Sequence, residues 1–229
     1  MNKFFINLSR CNDRLQYFDE TWTRWEATDY KELDNNDPIF SKMVSMWNIQ
    51  ESEHNAKCAC WLSHISLLRH IVDNGLNHVV IVEDDAEQIN NLPDDLGTDL
   101  CYLGGFFMRT MKGGAVEPPP LVDGSINSLP SDYKLMCCLS YYIPTYKIAE
   151  SMLNEIITQN RYRAIDVMFN KLSIQKNVYS PAIFRERPIE SQIRKNKKKH
   201  ASANYTFESY KKRYSVVIPS YQRYEKLKK

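Results

Sequence analysis

Glu83, Asp84 and Asp85 stand side by side directly after the aliphatic run of residues 79–82. Adjacent carboxylates repel, so keeping three together is unfavourable unless a cation or a cationic group compensates. Oxygen ligands favour Mg²⁺ or Mn²⁺ over zinc, and a cation held by one or two carboxylates can bridge a diphosphate and neutralise charge on a leaving group. In an extended chain Glu83 and Asp85 point to one side and Asp84 to the other. Asp85 is therefore the expected main metal ligand, with Glu83 assisting directly or through water. Without context, the same residues read equally as an acidic loop after a strand.

The elements around the triplet supply that context. Residues 79–82 (VVIV) suit a buried strand with the carboxylates at its C-terminal end, where open α/β sheets place their ligands. Before it, residues 58–74 form an amphipathic helix with Leu62, Ile65, Leu68 and Val72 on one stripe, and Gly75 is placed to end it. His64 shares a second stripe with Cys60, Leu67 and Ile71, which turns it inward as a core histidine, or as a catalytic or sugar contact. At the start, residues 3–8 (KFFINL) read as a strand. Asn12 or Asp13 is then positioned to cap a helix that carries Leu15, Phe18, Trp22 and Trp25.

Residues 28–56 are polar, with a loop at residues 34–38. Residues 100–103 look like another strand, stopped by Gly104 and Gly105, and residues 109–134, with three prolines in a row, look like a long loop. Residues 139–143 suit a strand. Ile148, Met152, Leu153 and Ile156 mark a helix, and Asp166 opens a last helical stretch through Leu172, where it would serve as N-cap. Alternating strands and helices argue for an α/β domain with a mostly parallel sheet.

Composition narrows the classes. The chain has 229 residues, 43% hydrophobic, which is enough for one substantial core. No apolar run approaches the roughly 20 residues needed to span a bilayer, nothing reads as a signal peptide, and the chain reads as cytosolic. The six cysteines are then expected to be reduced, and Cys58 and Cys60 have no second Cys/His pair at zinc spacing after them. Residues 191–229 carry twelve Lys and Arg against two acids, while residues 1–190 carry eighteen against twenty-six. An acidic folded part argues against a nucleic-acid partner and gives a diphosphate-binding domain reason to recruit a divalent cation. Residues 191–213 read as a basic linker, and residues 214–221 (YSVVIPSY) as the first strand of a further domain.

The segment CACWLSHISLLRHIVDNGLNHVVIVEDDAE resembles the central block of the family 25 glycosyltransferases of lipopolysaccharide synthesis, in which a helix bearing Cys and Leu-Ser-His precedes a strand ending in Glu-Asp-Asp. FFINLSRCNDR resembles that family's opening, and CYLGGF, SYYIPTYKIAESML and RAIDVMFNKL are similar to its later blocks, in order, over roughly residues 3–190. The resemblance implies a GT-A type fold, a nucleotide-binding α/β/α sandwich. It also implies a nucleotide-sugar donor, most often a UDP-hexose, and a glycan acceptor. Carried across, Asn7, Leu8, Arg10 and Arg14 would lie by the nucleotide, and the arginines would clamp a phosphate or cover the uracil ring. Asp85 and its neighbours would hold the metal. Asp166 would act as general base if configuration inverts, or order the donor sugar if it is retained.

The family's Gly-Glu-x-Gly-Cys stretch is replaced here by Ala56-Lys57-Cys58-Ala59-Cys60, which removes an acid and makes Lys57 either a diphosphate contact or a solvated surface lysine. Tyr141 and Tyr142 could present a ring to a sugar or pack in the core. The terminal YSVVIPSYQRYEKL resembles the opening of a family 2 glycosyltransferase, which implies a covalently linked downstream transferase domain. Transferases with that arrangement occur in large algal viruses of the chlorella-virus kind. Two other classes remain open, a nucleotidyltransferase and a non-catalytic sugar-nucleotide module. Against the first, no Gly-rich triphosphate loop follows the opening strand.

Overall fold

The computed structural model describes residues 1–33, 51–109, 116–136, 140–158, 164–187 and 189. The expected basic linker and the strand of a second domain lie outside these residues.

A seven-stranded sheet in the order β2-β1-β3-β9-β5-β10-β7 forms the centre. Its members are β1 (Asn2–Asn7), β2 (Thr23–Glu26), β3 (Val79–Glu83), β5 (Leu100–Tyr102), β7 (Ser125–Ser128), β9 (Tyr141–Ile143) and β10 (Lys176–Ser180). Strands β2, β1, β3, β5 and β10 run one way, while β9 and the edge strand β7 run the other. The domain is thus α/β with a mostly parallel sheet, compatible with a GT-A-like fold. Two short strand pairs flank it: β4 (Ala86–Gln88) with β11 (Phe184–Glu186), and β6 (Phe106–Arg109) with β8 (Tyr133–Met136).

The period-two alternation of strand side chains divides the core in two. Phe4, Ile6, Val79, Ile81, Tyr102, Tyr141 and Val178 face one cluster, and Phe5, Val80, Val82, Cys101, Leu103 and Tyr142 face another. Strand β3 is apolar on both faces because both are covered, and Val79 to Val82 are fully buried. The first cluster is roofed by α1 (Glu51–Asp73), α2 (Tyr146–Thr158) and α3 (Ile165–Asn170). The second is closed by Leu15, Phe18, Trp22 and Leu96, together with Ile183 and Phe184 beside and on β11.

Helix α1 begins earlier than its stripe suggests and is buried over a broad arc, with Cys58, Trp61, His64, Ile65, Leu67, Leu68 and Ile71 all inside. It ends as expected at Gly75, whose φ is +60°. The Gly75 amide donates to Val72 O and the Leu76 amide to Ile71 O, the paired bonds that satisfy the last carbonyls of a helix.

Two expectations change. The helix assigned to Leu15–Trp25 is a 3-10 turn, Asn12–Tyr17, followed by β2. Neither Asn12 nor Asp13 caps it; Cys11 occupies the cap without a side-chain bond. The reason lies in the aromatics. Phe18 stacks on Phe5 at 4.1 Å between centroids and Trp22 meets Phe184, whereas Trp25 packs edge-on to Phe4. These residues serve opposite faces of the sheet, and one helical stripe could not do both. Residues 109–134 are likewise not a single loop, because β7 pairs with β10 and β8 returns to β6. Such short, polar strands carry little local signal and exist through distant partners.

Candidate active site

β1, β2 and β3 are parallel neighbours, so their C-terminal ends open on the same side. A cleft of about 630 Å³, open mouth included, lies there. It is lined by Leu8 and Arg10 after β1, by Thr28 and Tyr30 after β2, by the Cys60–His64 turn of α1, and by Glu83, Asp84 and Asp85. Its position at the C-terminal ends of parallel strands suits a small organic ligand.

The three carboxylates are not equivalent. Asp84 forms a buried ion pair with Arg14, and its Oδ2 accepts from Asn7 Nδ2 at 2.8 Å. Burial nevertheless pushes the Asp84 carboxyl above its usual range, against the pull of Arg14 and Asn7. Among the described residues Asp85 has no such partner, and its Oδ1 is buried without a hydrogen bond. Burial, followed by the charges of Glu83, Glu186 and Asp84, drives its carboxyl well above the ordinary value. A buried carboxylate oxygen facing other carboxylates is the arrangement a bound cation would relieve. Asp85 and Glu83 are thus the carboxylates of the triplet left to meet a cation, while Asp84 is committed to Arg14.

Glu83 makes a different set of contacts. Its Oε1 lies 3.3 Å from His64 Nε2 and 3.5 Å from Cys60 Sγ. His64 Nδ1 is 2.9 Å from the Tyr141 hydroxyl, so both ring nitrogens of this fully buried histidine are engaged.

At the other wall, Arg10 Nε donates to Asp29 Oδ2 at 2.6 Å, and its guanidinium lies 5.7 Å from the Tyr30 ring centroid. That bond to Asp29 raises the Arg10 pKa despite partial burial. The wall thus combines an aromatic face with a cation, a pairing suited to a base and its phosphates.

Of the residues singled out from sequence, Leu8, Arg10, Arg14, His64, Glu83, Asp84 and Asp85 line the cleft. Asn7 is fully buried behind it and binds Asp84 and the Cys11 carbonyl. Lys57 lies on α1 next to the lining residue Ala56 without lining the cleft itself. Asp166 is the second residue of α3, and Ala164 takes the cap position expected of it. It does not line the cleft, yet its charge is felt at Cys60, which does. Tyr141 and Tyr142 are core residues, buried on opposite faces of the sheet.

Sequence reasoning missed Thr28, Tyr30 and Glu186. The first two follow β2, so recognising that strand would have placed them by the same rule that placed the carboxylates. Glu186 reaches Asp85 only through the pairing of β11 with β4, a hundred residues away in sequence, and nothing local signals it.

Residues 1–97 match the model of glycosyltransferase family 25 (LPS biosynthesis protein). All the lining residues of the cleft fall inside that segment, and the match supports a glycosyltransferase. No curated protein matches the chain. Among the described residues, no helix is long and apolar enough to cross a membrane.

Proposed function

We propose that this protein is a glycosyltransferase that moves a hexose from a UDP-sugar to a hydroxyl of a glycan acceptor, with a divalent cation in the donor site. The observation that carries the reading is Asp85. Its partnerless buried oxygen lines a cleft at the C-terminal ends of three parallel strands, inside the segment matched by the family 25 model. Mg²⁺ or Mn²⁺ bound there would neutralise developing charge on the departing diphosphate.

The chain's own groups would do the rest. Tyr30 and Arg10 would hold the base and ribose end of the donor, and Thr28 would bond the nucleotide. Arg14 holds Asp84 in place, which orients the turn that presents Asp85. Asp166 would take the acceptor proton if configuration inverts, approaching from the Cys60 side of the cleft, or order the donor sugar if it is retained.

Calorimetric titration with UDP-sugars, first with Mn²⁺ and then with chelator, tests this directly. Binding of one donor that weakens on chelation is the expected result, together with slow donor hydrolysis by the wild type. Absence of binding to every nucleotide sugar would overturn the proposal.

A further inference from the structure

The cleft lining holds a second convergence of ligand atoms, different in chemistry from the carboxylate triplet. Cys60 and His64 are four residues apart on α1 and therefore project from one face of the helix. Glu83 meets them from the end of β3. Cys60 Sγ is 3.5 Å and His64 Nε2 3.3 Å from Glu83 Oε1, and one ligand atom of each residue lies within 4.8 Å of the others.

The two separations to Glu83 match a metal polyhedron. With zinc–sulfur bonds of about 2.3 Å and zinc–nitrogen or zinc–oxygen bonds of about 2.0–2.1 Å, neighbouring ligands of a tetrahedral site lie roughly 3.3–3.6 Å apart. Both distances to Glu83 already fall there. The support around the histidine points the same way. Its Nδ1 is engaged by the Tyr141 hydroxyl at 2.9 Å, which aims Nε2 at the cluster, as outer partners do for metal-bound imidazoles. Asp85 and Asp166 add negative potential around Cys60.

We propose that Cys60, His64 and Glu83 form a tetrahedral site for zinc or another borderline-soft divalent cation, with its fourth position open to the cleft. Thiolate and imidazole select such ions, whereas the Asp85–Glu83 pair selects hard ones. Binding replaces the Cys60 S–H bond with a sulfur–metal bond and releases the thiol proton to solvent. Because both sets use Glu83, they compete for it. The proposal does not depend on the transferase reading. In its absence, Cys60 and His64 are simply donors to the Glu83 carboxylate.

Cobalt(II) titrated into the reduced, chelator-stripped full chain distinguishes the two. The expected result is one equivalent bound, with a thiolate-to-cobalt charge-transfer band, intense tetrahedral d–d bands, and displacement of both by Zn²⁺. Cys60→Ser, nearly isosteric, is expected to abolish the charge-transfer band. Tyr141→Phe leaves all three ligands in place and is expected to retain the band while weakening affinity at least ~10-fold. Circular dichroism establishes that each variant is folded. Folded wild type without a charge-transfer band, or an undiminished band in folded Cys60→Ser, would overturn the proposal.

Discussion

Arg14 and Asp84, 70 residues apart in sequence, form a buried ion pair that takes the middle carboxylate of the triplet out of reach of a second cation. Removing one member of such a pair leaves an uncompensated buried charge, a loss of about 3–5 kcal/mol, whereas replacing both with apolar groups is far milder. Arg14→Met is therefore expected to lower unfolding stability by about 3 kcal/mol, and Arg14→Met with Asp84→Leu by much less. Urea denaturation of both variants measures the difference. Equal losses would mean that the pair is not the source of the effect.

Asp85 presents the opposite case. Its Oδ1 is buried near Glu83, Asp84 and Glu186 without a hydrogen bond from any described residue, so in metal-free protein this carboxylate opposes folding. Asp85→Asn removes the charge and supplies an amide that neighbouring carboxylates can accept from. The variant is expected to gain about 1 kcal/mol of stability while losing metal-dependent turnover. Thermal unfolding in chelator, beside an activity assay, reads both quantities. A destabilised Asp85→Asn would contradict this picture of the site.

The contrast between these two residues marks how far sequence reasoning reached. Strand β3, the helix before it and the position of the triplet were legible, because VVIV and the stripe on α1 are strong local patterns that end in clear signals. The inequality of Asp84 and Asp85 was half legible. Strand alternation separated them, but Arg14 as the partner of Asp84 depends on β1 lying beside β3. Tyr30, Glu186 and the Glu83–Cys60–His64 convergence were not legible. Each is created by pairing between segments whose own sequences say little, such as β2 (TRWE) and β11 (FRE).

Gly104 shows how that tertiary placement is held. A Cβ there would stand 2.6 Å from the carbonyl oxygen of Phe184, on the strand that brings Glu186 to Asp85. At Gly75, by contrast, a Cβ meets nothing, and only its φ of +60° resists substitution. Gly75→Ala is expected to lower stability by about 1 kcal/mol without touching donor binding. Gly104→Ala must displace backbone, and is expected to lower stability by more and to weaken metal-dependent donor binding as well. Unfolding and titration experiments on the pair test this, and similar behaviour of the two would count against β11 as a support of the site.

The buried thiols give a pH signature. Burial raises Cys58 from 9.0 to about 11, and burial raises Cys101 to about 12. Below pH 9 these thiols are protonated whether the chain is folded or not, so their contribution to stability is fully present. As pH rises through 9 to 11 the unfolded chain ionises while folded Cys58 does not, and stability falls. Denaturation midpoints between pH 7.5 and 10.5 in reducing buffer are expected to decline, less steeply in Cys58→Ala. An identical slope in that variant would remove Cys58 as a cause.

Tyr30 offers the clearest test of the nucleotide wall, because it follows β2 rather than β3 and packs on Arg10, so its contribution is expected to be independent of metal. Its ring faces the Arg10 guanidinium at 5.7 Å and lines the cleft. Stacking of a base on an aromatic ring contributes about 1–3 kcal/mol, so Tyr30→Ala is expected to weaken UDP binding about 10-fold, equally with Mn²⁺ and with chelator. Tyr30→Phe keeps the ring and is expected to bind like the wild type. The paired variants separate a stacking surface from a hydroxyl contact, and the metal titration separates both from the diphosphate. Unaltered UDP affinity in Tyr30→Ala would move the base elsewhere in the cleft. A loss seen only with Mn²⁺ would place Tyr30 at the diphosphate end.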